Sequence, residues 1–196
     1  MYNLSDKSNT KMVGHVKIID CDTNEIIVNK RNAINYENMS ITLAGLLASA
    51  QTESLQAFGI SEMMFGVGGV TIDSIGTITY KPSNTQSTTS TLYNQTYAKS
   101  VANTVSVDPD NNVQVSHTNG TVYSDIIVTC TLDYAEPSGQ DTSDLSSEIS
   151  GSYIFNELGL KQSNGATLTH IVFHPVQKSA NRKIQIIYTI RITVGS

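Results

Sequence analysis

The feature that most constrains this chain is a stretch of strict alternation between Lys183 and Val194. One side of the stretch carries large side chains, namely Ile184, Ile186, Tyr188, Ile190, Ile192 and Val194. The other side is polar, with Ile187 as its one apolar exception. Because successive side chains of a β-strand point to opposite faces, this pattern predicts a strand with one buried face. At about 1.5–3 kcal/mol per buried aliphatic side chain, that face supplies much of the folding energy, so the rest of the chain must cover it.

Short strands separated by turn residues recur along the sequence. Residues 153–160 and 168–173 predict a hairpin, since the intervening Asn164-Gly165 pair tolerates the positive φ of a tight turn. The other predicted strands are residues 13–19, 25–29, 101–107, 113–116 and 122–132. Many short strands with Gly, Asn and Pro turns favour an all-β, mainly antiparallel β-sandwich over a parallel α/β fold.

One segment changes period and predicts a short α-helix packed on the sheet. From Tyr36 onward the apolar residues recur at helical spacing, at Met39, Leu43, Leu46, Leu47 and Ala50. Asn35 or Asn38 is suited to cap its first turn. Gly45 inside the helix suggests that another backbone approaches closely.

Together these patterns predict the core and the domain organisation. The predicted core residues are Leu43, Leu46, Ile126, Val128, Ile186, Tyr188 and Ile190. Residues 1–12 are polar and have no periodicity, so we expect a flexible N-terminal arm. Residues 13–196 are expected to form a single β-sandwich domain, which suits the length of the chain.

The composition disfavours several classes of function. The net charge is −5 and no basic stripe occurs, which argues against a nucleic-acid partner. The longest apolar run is too short to cross a bilayer, and the first residues lack the apolar core of a signal peptide. Cys21 and Cys130 are the only cysteines, and we expect both to be reduced in a protein made in a cytoplasm.

No local motif indicates catalysis or a cofactor. His170 and His174 would chelate a metal on a helix, but on a strand the same spacing separates them by roughly 13 Å. The glycines in residues 66–69 are not followed by the Lys-Ser or Lys-Thr pair of a phosphate loop. Residues 108–112 alternate oxygen ligands but lack the glycine and distal glutamate of a calcium loop. We therefore expect no metal, no cofactor and no enzymatic activity.

Two polar loops and the arm are the candidate contact surfaces. Residues 81–100 and 134–152 are long and rich in Ser and Thr, and loops of this kind are usually functional or disordered. Tyrosine buries much area at small entropic cost. The candidate interface residues are Tyr2, Leu4, Tyr93, Tyr97 and Tyr134. The alternative, that these tyrosines only pack their loops onto the sheet, stays open.

One family resemblance covers most of the chain. Its motifs are Phe-Asn-Glu-Leu-Gly-Leu at 155–160, the strand 168–173, Lys178, Tyr-Thr-Ile-Arg at 188–191, and the earlier segments 30–39, 64–69 and 124–132. In this order they resemble small structural proteins of tailed bacteriophages. The resemblance implies a virion component of the tail, baseplate or neck, synthesised in the host cytoplasm. It also implies a homo-oligomer whose partners are copies of itself and other phage structural proteins, with no active site to transfer.

Two other functions remain open at this point. A capsid decoration protein would use the same kind of contacts on a different lattice. A glycan-binding β-sandwich would stack sugars on Tyr93, Tyr97 or Tyr134, although the chain has no tryptophan, the residue that such sites favour.

Overall fold

The computed structural model describes residues 9–48, 55–137 and 154–195. Its strands are β1 (Asn9–Asp20), β2 (Ile26–Ile34), β3 (Ile60–Gly66), β4 (Val70–Ile72), β5 (Ile78–Tyr80), β6 (Gln95–Ser100), β7 (Asn111–His117), β8 (Tyr123–Leu132), β9 (Ile154–Gln162), β10 (Thr167–Gln177) and β11 (Ile184–Gly195). The helix α1 spans Tyr36–Leu47, and a 3₁₀ turn spans Leu55–Phe58.

The described strands pair antiparallel throughout, which confirms the all-β prediction. Nine of them form one sheet in the order β6-β3-β9-β10-β2-β1-β11-β8-β7, and β4 and β5 form a separate hairpin. The large sheet bends at β2, which pairs with β1 through residues 26–32 and with β10 only through Ala33 and Ile34. Its two ends approach each other, since the Lys99 ammonium of β6 donates to the Thr131 carbonyl of β8 at 2.7 Å. The result is a sandwich made from a single, nearly closed sheet.

Strand β11 is the strand that the alternation predicted, and it lies at the centre of one half of the sheet. It pairs with β1 on one side and β8 on the other. Ile186, Tyr188 and Ile190 are fully buried, and so is Val128 opposite them on β8. Ile126 is only partly buried: it lies between the fully buried Ile190 of β11 and the exposed Val115 of β7, where the core ends toward the edge of the sheet.

The prediction of a flexible arm at residues 1–12 is wrong for residues 9–12. Strand β1 begins at Asn9, which pairs with Gly195, so residues 9–12 belong to the sheet. The polarity of this segment concealed the strand, whereas the long edge of β11 supplies the backbone partners that hold it. Tyr2 and Leu4 lie outside the described residues.

Helix α1 begins where the cap predicts but buries a different face. The Asn35 side chain accepts a hydrogen bond from the Asn38 N–H at 3.1 Å, and Met39 is buried. Leu43 is half-buried and Leu46 is 40 % exposed, so the prediction of a core role is wrong for Leu46 and holds only in part for Leu43.

Two polar side chains of α1 are buried where the sequence predicted the apolar stripe. Asn38 is buried and donates to the carbonyl of Thr167 at 2.8 Å, and Thr42 is buried against Gln162. Apolar periodicity does not register such hydrogen bonds. The neighbour of Gly45 is the aromatic ring of Phe58, not the backbone that the sequence suggested.

The predicted strand at residues 101–107 is absent from the described structure. The segment folds into turns instead, with the N–H groups of Val107 and Asp108 both donating to the Thr104 carbonyl. Its neighbour β7 starts at Asn111, close to the predicted position.

Candidate functional site

The most organised polar cluster in the described chain centres on Glu157 of β9, whose side chain is fully buried. One carboxylate oxygen accepts from the N–H groups of Gly68 and Asn94, each at 2.8 Å. The other accepts from the N–H of Tyr93 and from Nε2 of His170, each at 2.9 Å. We refer to this pair and its backbone donors as the Glu157–His170 clamp.

The contacts of His170 fix its protonation state. Its Nδ1 lies 2.7 Å from the backbone N–H of Asn84, which can only donate, so Nδ1 is an acceptor. The ring hydrogen is therefore on Nε2, where it donates to Glu157. The clamp thus joins a neutral imidazole to an ionised carboxylate.

The hydrogen bonds also decide the ionisation of Glu157. Burial in the core raises the pKa of this carboxyl group. The hydrogen bonds from His170 and from the backbone N–H groups of Asn94, Tyr93 and Gly68 outweigh that effect, so the pKa of Glu157 lies below its ordinary value. The carboxylate stays charged at neutral pH.

The glycine-rich turn between β3 and β4 is held by Asn156 as well as by Glu157. The Asn156 amide accepts from the Gly69 N–H at 2.8 Å and donates to the Val67 carbonyl at 3.0 Å. A Cβ added at Gly68 would lie 2.7 Å from the backbone nitrogen of Asn94. These glycines therefore permit the turn to approach the neighbouring loop and the carboxylate, and they do not form a phosphate cradle.

The clamp is suited to positioning loops and not to catalysis. Neither Glu157 nor His170 is exposed, and both imidazole nitrogens already have partners. His174 lies apart from it and contacts the Tyr80 hydroxyl at 3.2 Å. Within the described ranges, no three His, Cys, Asp or Glu residues are placed to bind a metal ion together. In residues 108–112, the segment compared above with a calcium loop, the Asp108 carboxylate accepts hydrogen bonds from the N–H groups of Asp110 and Asn111 in a local turn.

Tyr93 is anchored to the clamp. Its ring packs edge-on against His170 with centroids 5.5 Å apart, and its hydroxyl donates to the Pro82 carbonyl at 2.8 Å. The Lys81 ammonium lies 4.6 Å from the ring centroid. Tyr93 nevertheless remains 40 % exposed, so it combines a packing role with a free surface.

Tyr97 and Tyr134 lie in other surroundings. Tyr97, on β6, is half-buried beside Phe65, and burial together with the nearby Glu136 carboxylate raises the pKa of Tyr97 to about 12. Tyr134 is 52 % exposed, and its hydroxyl donates to Asp22 in the turn after β1. The three tyrosines therefore have different partners and do not form one common cluster.

One end of the sandwich exposes apolar side chains that belong to the inner face of the sheet. The register places Val115 beside Ile126, and Val194 beside Val122, on the side of the sheet that carries the core. Val115 is 72 % exposed, Val122 is 66 % exposed and Val194 is 50 % exposed. The row of His117, Ser124 and Ile192 lies between Val115 and the other two valines. We refer to the three valines together as the apolar ledge. The strands here continue past the core that covers the rest of this face.

Strand β7 beside the ledge has a partly free edge. Its Val113 N–H donates away from β8, to the Asn103 carbonyl at 3.1 Å. Because main-chain groups alternate along a strand, those of Val115 and His117 also point away from β8. The described residues place no strand against them. Residues 114–117 carry no Lys, Glu or Pro, the residues that usually protect such an edge.

Sequence reasoning missed the clamp, although a signal was present. Glu157 lies between apolar residues in the middle of a predicted strand, next to Asn156, and a buried acid in that position needs several hydrogen-bond donors. The glycine-rich turn that supplies one of them was interpreted only as the end of a strand.

Comparison with protein-family models, with curated proteins and with solved structures finds no significant match for this chain. Among the described residues, no helix has both the length and the apolar character needed to span a membrane.

Proposed function

We propose that this chain is a non-enzymatic structural protein of a tailed-bacteriophage virion, assembling in several copies in the tail, baseplate or neck. Its partners are copies of itself and other phage structural proteins. The observation that carries the proposal is the apolar ledge beside the free edge of β7. The motif resemblance supplies the phage setting.

The ledge has the properties of a contact surface. Its three valines project from a rigid sheet, so a partner that covers them pays little ordering entropy on this side. Burying a valine side chain contributes about 1.5–3 kcal/mol, and the adjacent edge offers main-chain hydrogen bonds to an added strand. Exposed inner-face valines without such a partner would be an aggregation hazard.

The clamp supports the same function by a different route. It ties the turn after β3 and the loop before β6 to β9 and β10 through four hydrogen bonds to one carboxylate. A loop held in this way presents Tyr93 and Lys81 in a fixed arrangement. Such a surface suits repeated, identical contacts between subunits.

Quantitative mass spectrometry of virions from the encoding phage tests the proposal. We expect a small copy number, a low multiple of five or six, as tail, baseplate and neck symmetry dictates. A ratio near one chain per major capsid subunit would identify a decoration protein instead. Absence from the particle would refute the virion function.

Paired variants on β7 test the ledge itself. Val115→Asp places a charge on the inner face, and Gln114→Asp places the same charge on the opposite face of the same strand. We expect the Val115 variant to be lost from purified particles while the Gln114 variant is incorporated at the normal level. Equal incorporation of both would show that the ledge is not a contact surface.

A further inference from the structure

A cleft opens where β1 and β2 separate. The two strands pair from the Gly14–Asn32 pair to the hairpin turn that joins them. Beyond Asn32, β2 leaves β1 and pairs with β10 through Ala33 and Ile34, and the chain then enters α1. The resulting cleft has a volume of about 170 Å³. It is lined by Thr10, Met12, Tyr36, Met39, Ser40 and Leu43. We call it the α1–β1 cleft.

One wall of this cleft is a strand edge whose main-chain groups pair with no strand among the described residues. The Val194 N–H donates to the carbonyl of Val122, the residue before β8, so the main-chain groups of the even residues of β11 face β8 and those of the odd residues face β1. Their partners Thr10 and Met12 therefore point away from β11, toward the cleft. The described residues place no strand on that side of residues 9–13.

The other wall is largely apolar. Tyr36 is 73 % exposed, Leu43 is half-buried and Met39 is buried. A free strand edge beside an apolar wall is the arrangement that binds an extended peptide by strand addition. The main chain of such a peptide pairs with Thr10 and Met12, and every second side chain enters the cleft.

Residues 1–8 have the pattern that this cleft requires. They precede Asn9 directly, and their two large apolar side chains after Met1, Tyr2 and Leu4, are two positions apart. On an extended segment these side chains share one face. Asn3 would face the opposite way, which separates the apolar from the polar side of the segment.

The turn chemistry of this chain argues that a neighbouring copy supplies the segment. To reach its own cleft, the chain would need a tight reversal within residues 5–8, Ser-Asp-Lys-Ser. The short hairpin connections of the described strands each use a glycine or an asparagine at positive φ, namely Asn24, Gly76, Gly120 and Gly165. Residues 5–8 contain neither residue, whereas a segment from another copy needs no turn.

We propose that the α1–β1 cleft binds residues 1–8 of a neighbouring copy as an added strand, with Tyr2 and Leu4 in the cleft. The inference rests on the multi-copy assembly proposed above, since each copy then donates one segment and accepts another. The strand completes the sheet where β2 leaves it and covers the exposed side of Tyr36.

Residue-resolved amide hydrogen exchange on a mixed assembly tests this contact. The acceptor is a ¹⁵N-labelled chain lacking residues 2–8, and the donor is the unlabelled full chain, so only a neighbouring copy can supply the strand. We expect exchange of the Thr10 and Met12 amides in the acceptor to slow by at least about 100-fold when the donor is added. The Lys11 and Val13 amides face β11, and they should stay protected throughout, which also confirms that the acceptor is folded.

Two donor variants sharpen the result. Leu4→Asp should abolish the protection of Thr10 and Met12, and Asn3→Asp, with the same charge on the opposite face, should preserve it. Concentration-independent protection in a dilute monomer of the full chain would mean that its own segment fills the cleft, and would overturn the proposal. An assembly in which Thr10 and Met12 stay unprotected would overturn it too, while the virion copy number would still decide the proposed function separately.

Discussion

Replacing the buried carboxylate of the clamp by an amide should cost the protein much of its stability. In Glu157→Gln, one amide oxygen still accepts two hydrogen bonds, but the new NH₂ group faces two of the four N–H donors. His170 cannot relieve this conflict by moving its hydrogen to Nδ1, because Asn84 donates there. Two charge-assisted hydrogen bonds are lost and their donors are left buried, so the free energy of unfolding should fall by about 3–5 kcal/mol.

Urea unfolding of the two proteins at neutral pH measures this difference. The matched control is Glu62→Gln, which removes a carboxylate on β3 that pairs with Lys161 at 3.0 Å on the surface. Surface pairs contribute up to about 1 kcal/mol, so the control should lose little stability. A loss below about 1 kcal/mol in Glu157→Gln would refute the reasoning that all four hydrogen bonds depend on the charge.

The same substitution carries a pH signature. Since the folded pKa of Glu157 lies below its ordinary value, its contribution to stability is fully present above the unfolded pKa of about 4.3. That contribution disappears as the pH falls through the folded pKa. The stability gap between the wild type and Glu157→Gln should therefore be constant near neutral pH and shrink in acid. A gap that does not depend on pH would contradict an ionised clamp.

Three further predictions concern burial in the core. The Tyr188 hydroxyl is fully buried near Thr169 and Asn32, but its geometry gives it no hydrogen bond, so Tyr188→Phe should leave the unfolding free energy unchanged or raise it by up to about 1 kcal/mol. A clear loss would reveal a hydrogen bond to the hydroxyl. In urea unfolding, Ile190→Ala should lower the free energy of unfolding by about 2–5 kcal/mol, and Leu46→Ala should lower it by less than about 0.5 kcal/mol. A larger loss in Leu46→Ala than in Ile190→Ala would contradict the observed burial. Burial raises the pKa of Cys130 to about 12, so a thiol reagent at mildly alkaline pH should label only the half-exposed Cys21 before unfolding; rapid double labelling would refute this.

The regular strands were predictable because burial alone determines them. Ile186 and Ile190 alternate with polar neighbours, and that period is sufficient to place β11 in the core. The sequence limited the helix cap to Asn35 or Asn38, since a short amide before an apolar helical stripe favours that use, and the structure selects Asn35.

Polar contacts between distant segments explain what was not predicted. The buried face of α1 is set by Asn38 and Thr42, which bond to Thr167 and Gln162, each more than a hundred residues further along the chain. The clamp likewise joins Glu157 to loops that precede it by more than sixty residues. The spacing of apolar residues shows which side of a single helix or strand faces water. It therefore gives no information about hydrogen-bond partners elsewhere in the chain.

The order of strands along the chain has a consequence for biosynthesis. Strand β11 lies between β1 and β8, yet all the other strands leave the ribosome before it. Until residue 195 is synthesised, the β1–β2 and β7–β8 hairpins each leave the strand edge that pairs with β11 without its partner. The large sheet cannot be completed until the twelve residues of β11 have been synthesised. Folding must therefore be fast after translation or assisted during it.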